Sequence, residues 1–323
     1  MKILVFIFLA VMLSPAGSET PRPSAPVPKA IFIIIDGIPA DVIESVATPN
    51  LDAISGERGY TRAYVGGMPG QPSESPTVSA VGYNSLLTGT WSNKHNVRDN
   101  DVSHPNYDYW DIFRIVKNHD PSLQTAIFST WLDNRTKLLG DGLEEAGGDK
   151  LDYHIDGFEH DTERFPHDLM ARYIRDIDEI VASEAARYIK VEGPDLSWVY
   201  LQYSDDVGHR YGDGLEMIAA VQGMDVHIGK LWSAVQQRQQ LHNEDWMILI
   251  TTDHGRDADT GRGHGGQTER ERLIWIVTNS DDLNSRFYQL PAIVDILPSI
   301  ARHLRLEIPA GIQDQLDGQS FVD

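Results

Sequence analysis

Four runs of consecutive apolar residues occur along the chain, and three of them end directly in polar residues. The clearest run covers residues 30–35, Ala-Ile-Phe-Ile-Ile-Ile, and is followed by Asp36. Similar runs cover residues 196–203 and 246–252, and a fourth covers residues 273–277. Continuous β-branched and aromatic runs of this length are typical of strands that are buried on both faces of a sheet. The pattern therefore predicts a central sheet with polar side chains at several strand ends.

Apolar residues at three- and four-residue spacing predict helices between and after these runs. The helical stretches cover roughly residues 166–191, 215–241 and 291–304. Strands that alternate with helices form a mostly parallel sheet with helices on both faces, and ligands bind beyond the carboxyl ends of its strands. We therefore predict an α/β three-layer sandwich with its site at that edge.

The beginning of the chain differs from the rest. Lys2, an apolar run at residues 3–13 and small residues at 14–18 follow the order of a secretory signal peptide, with an uncleaved anchor as the alternative. The apolar run is shorter than an ordinary membrane span. We predict a signal peptide at residues 1–18, a linker at residues 19–28, and one catalytic domain at residues 29–323. The protein is then exported, periplasmic or secreted, with no membrane span after signal removal.

Composition restricts the chemistry. The 323 residues include no cysteine, which excludes disulfides, thiolate zinc sites and a cysteine nucleophile. The net charge of −21 disfavours a broad surface for nucleic acid or anionic membranes. An anionic substrate would need locally concentrated positive charge, and bound metal ions would supply it.

Carboxylates and imidazoles follow three of the predicted strands. Asp36 ends the first, Ser204-Asp205-Asp206-Val207-Gly208-His209 follows the second, and Thr252-Asp253-His254-Gly255 follows the third. Arg262-Gly263-His264-Gly265-Gly266 comes ten residues later. The second motif alone is also ordinary turn chemistry. Together the motifs bring three carboxylates and three imidazoles to one rim of the sheet, where the carboxylates would repel one another without cations. Such a ligand set favours Zn²⁺, with Mn²⁺ as the next choice.

The order of these motifs resembles the alkaline phosphatase superfamily, and most closely its type I phosphodiesterase / nucleotide pyrophosphatase branch. Further matches are Ile35-Asp36-Gly37 near the start and residues 294–300 and 316–321 near the end. The resemblance implies two divalent metal ions. One would be bound by Asp36, Asp253 and His254 together with the oxygen of the nucleophile, and the other by Asp205, His209 and His264.

The nucleophile of this family is a Ser or Thr that opens a helix after the first strand. Residues 77–89 lie in that position, and Ser79-Ala80-Val81-Gly82 resembles the Ser-x-Val-Gly of the cofactor-independent phosphoglycerate mutases. Aligning Leu87-Thr88-Gly89 with the Val-Thr-Gly of the phosphodiesterases selects Ser79 again. A helix N-terminus also attracts phosphate. The alternatives are Thr77 as the nucleophile, and Ser79 or Thr77 as a helix N-cap only.

A second catalytic residue comes from the segment at residues 94–100, which resembles the His-Gly-Ile-x-x-Asn segment of the phosphodiesterases. The resemblance implies that Asn100 donates a hydrogen bond to a non-bridging phosphoryl oxygen. The chain departs from the pattern with Asn96 in place of Gly and with Asp99 before Asn100. Arg256 and Arg262 flank the metal motifs, where they are either phosphate clamps or solvated loop residues.

These observations predict a metal-dependent hydrolase of small-molecule phosphoric esters that acts through a phosphoserine. The neutral Asn100 favours diester or pyrophosphate substrates. The alternatives are a phosphomonoesterase or phosphonate hydrolase of the same fold, or a non-catalytic metal-binding relative. Sulfatases need a Cys/Ser-x-Pro-x-Arg context that Ser79 lacks, and the mutases carry a large inserted domain for which residues 79–204 leave little room.

Overall fold

A seven-stranded sheet lies at the centre of the computed structural model, which describes residues 25–323. The predicted signal peptide and the first six residues of the predicted linker lie outside the described residues. The strands are β1 (Val27–Ile35), β2 (Tyr60–Tyr64), β3 (Thr125–Ser129), β4 (Tyr153–Ile155), β5 (Leu196–Leu201), β6 (Glu244–Thr251) and β7 (Leu273–Thr278). They lie in the order β2-β7-β6-β1-β5-β3-β4, and only the pairs that involve β7 are antiparallel.

Eleven α-helices surround this sheet within the described range. They are α1 (Ala40–Ser45), α2 (Pro49–Ser55), α3 (Ser79–Thr88), α4 (Ser92–His95), α5 (Ile112–His119), α6 (Arg172–Glu192), α7 (Tyr203–Tyr211), α8 (Leu215–Leu241), α9 (Glu269–Arg272), α10 (Ile296–His303) and α11 (Ala310–Gln313). A single π-helical turn covers Asn134–Leu138. None of the helices in residues 25–323 combines the length and apolarity needed to cross a membrane.

The continuous apolar run of β1 serves two hydrophobic cores. Ala30, Phe32 and Ile34 pack into the core on one face of the sheet, where α3, α5 and α10 lie. Ile31 and Ile33 pack into the core on the other face, against α6 and α8. Successive side chains of a strand point to opposite faces, so a strand covered on both sides needs apolar residues at every position. The predicted three-layer α/β sandwich is therefore confirmed.

The predicted elements agree with the structure where the pattern is long. The helix expected at residues 215–241 is α8, with the same bounds. The helix expected from residue 166 begins only at Arg172, because Asp168 accepts hydrogen bonds from the backbone of Met170 and Tyr173 in a turn. The last predicted helix is split into a 3₁₀ turn at Ile293–Asp295 and α10.

The sheet order decides where the site lies. Strands β6, β1 and β5 are adjacent and parallel, so their carboxyl ends meet at one edge. Asp36 follows β1, α7 follows β5, and Asp253 lies two residues after β6. All three polar motifs of the sequence therefore converge on that edge.

Candidate active site

The first group of converging side chains consists of Asp36, Asp253 and His254, which we call the buried cluster. Its three ligand atoms lie within 4.8 Å of one another. The His254 Nε2 atom lies 3.4 Å from Asp36 Oδ1 and 3.3 Å from Asp253 Oδ2. All three side chains are buried, so this edge of the sheet places two carboxylates and an imidazole out of contact with water.

The second group, which we call the outer cluster, consists of Asp205, His209 and His264. Asp205 and His209 are one turn apart on α7 and therefore face the same side of the helix. The His264 Nε2 atom lies 3.0 Å from His209 Nε2 and 3.9 Å from Asp205 Oδ1. The ring of His264 also stacks on the ring of His254, with 3.7 Å between their centroids. The two clusters are therefore immediate neighbours, and their members are the two groups of three that the family resemblance implied.

Two carboxylate oxygens of the buried cluster have no hydrogen-bond partner among the described residues. They are Asp36 Oδ1 and Asp253 Oδ2. Burial, followed by the charges of Asp253 and Asp205, raises the pKa of Asp36 well above its ordinary value. Burial likewise raises the pKa of Asp253 to about 7. Since buried charges without partners are costly, these orphaned oxygens fit the coordination of a divalent cation.

The imidazoles of His254 and His264 are also suited to coordinate a divalent cation. Burial lowers the pKa of His254 well below its ordinary value and lowers that of His264. The Nδ1 atom of His254 lies 2.9 Å from the backbone oxygen of Gly255, and that of His264 lies 2.9 Å from the backbone oxygen of Thr77. In each neutral ring Nδ1–H donates to that carbonyl, so the Nε2 lone pair faces the cluster, as in metal-ligating histidines.

Ser79 lies beside the buried cluster. It is the first residue of α3, and its Oγ atom lies 3.3 Å from His254 Nε2. The helix comes this close because Gly82 packs against Asp253, where an added Cβ would lie 2.7 Å from the Asp253 backbone oxygen. The N-cap of α3 is Val78 and not Ser79, so Ser79 does not serve as the cap.

Thr77, the alternative nucleophile, is engaged elsewhere. Its hydroxyl donates to the backbone oxygen of Gly266 and accepts from the backbone N–H of Gly265, both at 2.9 Å. These bonds hold the loop that carries His264. The geometry thus favours Ser79 as the hydroxyl available to a ligand.

Tyr83 and Tyr200 belong to the site although the sequence interpretation did not single them out. Both hydroxyls donate to Asp36 Oδ2, Tyr200 at 2.7 Å. Burial raises the pKa of both tyrosines well above its ordinary value, so both remain neutral donors. Their bonds fix Asp36 and leave its Oδ1 atom directed at the cluster. The helical period contains a signal for Tyr83, which lies one turn after Ser79, whereas Tyr200 is inside an apolar strand.

The sequence left two roles open for Arg256, a phosphate clamp and a solvated loop residue, and the structure shows a different environment. The guanidinium is buried, with Nε donating to the Gly37 backbone oxygen at 2.9 Å and Nη2 paired with the carboxylate of Asp205. Gly208 packs on it so closely that an added Cβ would lie 2.2 Å from its Cζ atom, which explains the glycine between Asp205 and His209. Arg256 therefore positions Asp205, while Arg262 is exposed.

The charge state of Asp205 follows from its neighbours. Burial alone would raise its pKa, but the hydrogen bond with His209 and the charge of Arg256 lower it below the ordinary value. The same hydrogen bond raises the pKa of His209. The outer cluster thus keeps an ionised carboxylate at its centre.

A further unpredicted residue, Asp178 of α6, fixes the helix that carries Asp205 and His209 of the outer cluster. Its carboxylate is buried and accepts hydrogen bonds from the backbone N–H of Gln202 at 3.1 Å and of Tyr203 at 2.9 Å. These donors lie at the N-terminus of α7, where a helix has unsatisfied N–H groups. Asp178 therefore joins α6 to the start of α7 and sets the position of that helix.

A cavity of about 310 Å³ opens beside Ser79. Asn100 lines it, and the Oδ1 atom of Asn100 accepts a hydrogen bond from the backbone N–H of Ala80 at 3.0 Å. The amide NH₂ is then the group that Asn100 offers to a ligand. Besides Ser79 and Asn100, the lining comprises Asp36, Tyr83, Asp101, Trp131, Asp133, Lys137, Tyr200, Gln202 and Asp205.

Solved structures of known proteins share the fold. The solved structure of a phosphonate monoester hydrolase of Agrobacterium radiobacter superposes with a TM-score of 0.62 at 15% identity and covers 91% of this chain and 76% of its own. A 2-O GAG sulfatase superposes with a TM-score of 0.60 at 12% identity, over 91% of this chain and 75% of its own. At these identities the likeness shows that this chain shares their fold.

Two relatives are similar to this chain in sequence. A venom phosphodiesterase of Crotalus durissus collilineatus is 25% identical over 225 residues, which are 67% of this chain and 24% of the relative. The human ectonucleotide pyrophosphatase/phosphodiesterase family member 7 is 24% identical over 271 residues, which are 78% of this chain and 53% of the relative. The chain thus spans about a quarter of the venom protein and about half of the human one.

The most extensive match is to a family profile. Residues 30–260 match the type I phosphodiesterase / nucleotide pyrophosphatase family, and this range contains every predicted site residue except His264. The match covers more than two-thirds of the chain and confirms the resemblance that the motifs indicated. This protein therefore belongs to the type I phosphodiesterase / nucleotide pyrophosphatase family.

Proposed function

We propose that this protein hydrolyses phosphoric esters at a two-metal site, with Ser79 as the nucleophile. The observation that carries the proposal is the position of the Ser79 hydroxyl beside two adjacent clusters of three ligands each. The buried cluster contains two carboxylate oxygens without hydrogen-bond partners among the described residues, which a cation would satisfy. A non-catalytic relative would have no need to keep both clusters, the hydroxyl and an open cavity together.

Each cluster would bind one divalent ion. Asp36, Asp253 and His254 would hold the first ion, and Asp205, His209 and His264 would hold the second. Zinc is the first choice and manganese the second, because the donors are carboxylate oxygens and imidazole nitrogens. The ions, when bound, would supply positive charge that lowers the pKa of a hydroxyl and neutralises the phosphoryl group.

In the proposed reaction Ser79, Asn100 and the N-terminus of α3 have separate roles. The Oγ atom of Ser79 gives up its proton and attacks phosphorus in line, so that the Ser79 O–P bond forms while the bond to the leaving group breaks and the proton ends on the alcohol that departs. The product is a phosphoserine, which still carries the second ester substituent when the substrate is a diester. Water hydrolyses the phosphoserine and restores the hydroxyl. The amide of Asn100 donates to a non-bridging oxygen, and the N-terminus of α3 presents backbone N–H groups to the same anion.

The substrate class follows from the groups near the phosphoryl oxygens. Monoesters carry one more negative charge than diesters, and a bidentate arginine binds a group with that additional charge more strongly. Here Arg256 is committed to Asp205 and Gly37, and Asn100 is neutral. We therefore propose phosphodiester or pyrophosphate substrates.

An aryl phosphodiester is expected to be hydrolysed with a kcat/KM roughly tenfold or more above that of the matching monoester, which corresponds to about 1.4 kcal/mol. Parallel steady-state kinetics on the two esters with zinc-loaded protein measure the ratio. A preference for the monoester would contradict the proposed diester substrates, but it would not contradict hydrolysis at a two-metal site.

Zinc is expected to stabilise the protein more at about pH 8 than at about pH 6. Without metal, Asp36 and Asp253 have raised pKa values, that of Asp253 about 7. A carboxyl whose pKa is raised in the folded state stabilises the fold while protonated, and this contribution is lost as the pH rises through the folded pKa. Protons also compete with zinc for the same oxygens at the lower pH. The difference in Tm with and without zinc, measured at both pH values, checks this, and an equal or larger difference at the lower pH would refute it.

Export is proposed on the pattern of residues 1–18 and on the linker that follows it. Expression of the full chain with its own N-terminus should yield a protein of reduced mass outside the cytoplasm. A full-length product that stays in the cytoplasm would count against export.

A further inference from the structure

One part of the cavity lining, which we call the wall, is built by the segment after β3. Trp131, Asp133 and Lys137 all line the cavity from this segment, and Lys137 belongs to the single π-helical turn at Asn134–Leu138. Turns of this type are rare and often occur at functional sites. Neither the motifs nor the proposed mechanism gives these three residues a role.

Lys137 is the only Lys or Arg among the side chains that line the cavity. Its ammonium lies 2.8 Å from Asp133 Oδ2 and donates to the backbone oxygen of Asp101 at 3.2 Å. Asp101 follows Asn100, the proposed phosphoryl donor, and Asn100 and Lys137 line the same cavity. The side chains of Lys137 and Asp133 are 44% and 25% exposed, so water reaches the pair and a flexible lysine can exchange partners there.

The charges of this wall do not favour a second negative charge on the substrate. Apart from the proposed metal ligands, the lining contains two carboxylates, Asp101 and Asp133, and the single ammonium of Lys137. The carboxylate of Asp133 opposes an added negative charge on the substrate in two ways. It repels that charge directly, and it pairs with the Lys137 ammonium, which would otherwise attract the charge. A monoanionic diester has no such additional charge to place here.

Trp131 gives the same wall an apolar surface. Its ring is half-buried, packs edge to face on Tyr83 at a centroid distance of 6.3 Å, and lines the cavity. The second substituent of a diester can cover this ring and remove apolar surface from water. A monoester has no second substituent and leaves the ring exposed.

We propose that the Asp133–Lys137 ion pair sets the selectivity of the site for monoanionic diesters over dianionic monoesters. This inference rests on the proposed phosphoester hydrolysis. In this proposal Asp133 disfavours the second negative charge of a monoester. Lys137 could bind that charge, but its ammonium is paired with Asp133.

Asp133→Asn tests the proposal most directly, because asparagine has nearly the same size and keeps an oxygen for the hydroxyl of Thr136, which bonds Asp133 Oδ1 at 3.3 Å. The kcat/KM for an aryl monoester is expected to rise about fivefold, with the diester value changed by less than about twofold. Lys137→Met should change the ratio in the opposite direction. Glu57→Gln is the matched control, since it removes the same charge at an exposed position outside the cavity, and it should leave the ratio unchanged.

Binding of inorganic phosphate to zinc-loaded protein gives a readout that does not need turnover. Asp133→Asn is expected to bind phosphate about fivefold more tightly than the unaltered protein, and Glu57→Gln equally well. An unchanged phosphate affinity in Asp133→Asn, or an equal gain in Glu57→Gln, would overturn the proposal. If the unaltered protein hydrolyses neither ester, the proposed function fails, and the phosphate affinities still decide the role of the ion pair.

Discussion

Ser79→Ala is expected to lower kcat for an aryl phosphodiester by about a thousandfold or more. The substitution removes the hydroxyl that lies 3.3 Å from His254 Nε2, and it leaves all six proposed metal-ligating side chains in place. Zinc content and Tm should therefore remain close to those of the unaltered protein. Steady-state kinetics combined with metal analysis measure both properties.

Thr77→Val is the matched control for this substitution, because it removes a neighbouring hydroxyl with little change in volume. The Thr77 hydroxyl holds the loop of His264 through its bonds to Gly265 and Gly266. We expect a loss of activity below about tenfold, recovered in part by excess zinc, because only the positioning of one ligand is weakened. An inactive Thr77→Val protein beside an active Ser79→Ala protein would place the nucleophile two residues earlier.

Asp253→Asn is expected to abolish diester hydrolysis, again by about a thousandfold or more, and to remove about one equivalent of bound metal. Its effect on stability should depend on the metal. Asp253 is buried beside Asp36 and Asp205, and its Oδ2 atom has no hydrogen-bond partner among the described residues. In the metal-free protein the carboxylate of Asp253 is repelled by those of Asp36 and Asp205, and the neutral amide of asparagine removes this repulsion. At about pH 8 the metal-free variant should therefore unfold at a temperature about 2 °C or more above that of the metal-free unaltered protein.

Thermal unfolding with chelator and with excess zinc measures both parts of this prediction. The unaltered protein should gain much more from zinc than Asp253→Asn does. A variant that is less stable than the unaltered protein in chelator, and equally stabilised by zinc, would show that Asp253 has a structural role and does not bind metal.

The edge of the sheet that carries the clusters could be predicted, because polar motifs follow three of the apolar runs. The apolar runs identified β1, β5 and β6, these strands are adjacent and parallel, and the residues after them must meet at one edge. The partition of the six ligands came from family resemblance, and the geometry reproduces it. The apolar pattern thus indicated where the site lies, and the resemblance indicated which residues share a cluster.

The supporting residues were not predictable from the same patterns. Tyr200 lies inside an apolar strand, where a tyrosine is typical of a core, and its bond to Asp36 depends on a contact across the sheet edge. Arg256 is in a polar loop, where solvation is the usual outcome, but its partner Asp205 lies 51 positions away in the chain. Trp131 and Lys137 follow β3, whose sequence Thr-Ala-Ile-Phe-Ser contains only three consecutive apolar residues, too few for the apolar pattern to mark a strand. Each of these roles depends on tertiary contacts between distant segments.

Stepwise return of zinc to chelator-treated protein, with hydrolysis of an aryl phosphodiester measured at each step, tests the central claim most directly. Two adjacent clusters of three ligands beside the Ser79 hydroxyl predict almost no hydrolysis without metal and a maximum at about two equivalents of zinc per chain. Full activity after complete removal of metal, or no hydrolysis at any loading with zinc or manganese, would contradict a two-metal phosphoester hydrolase.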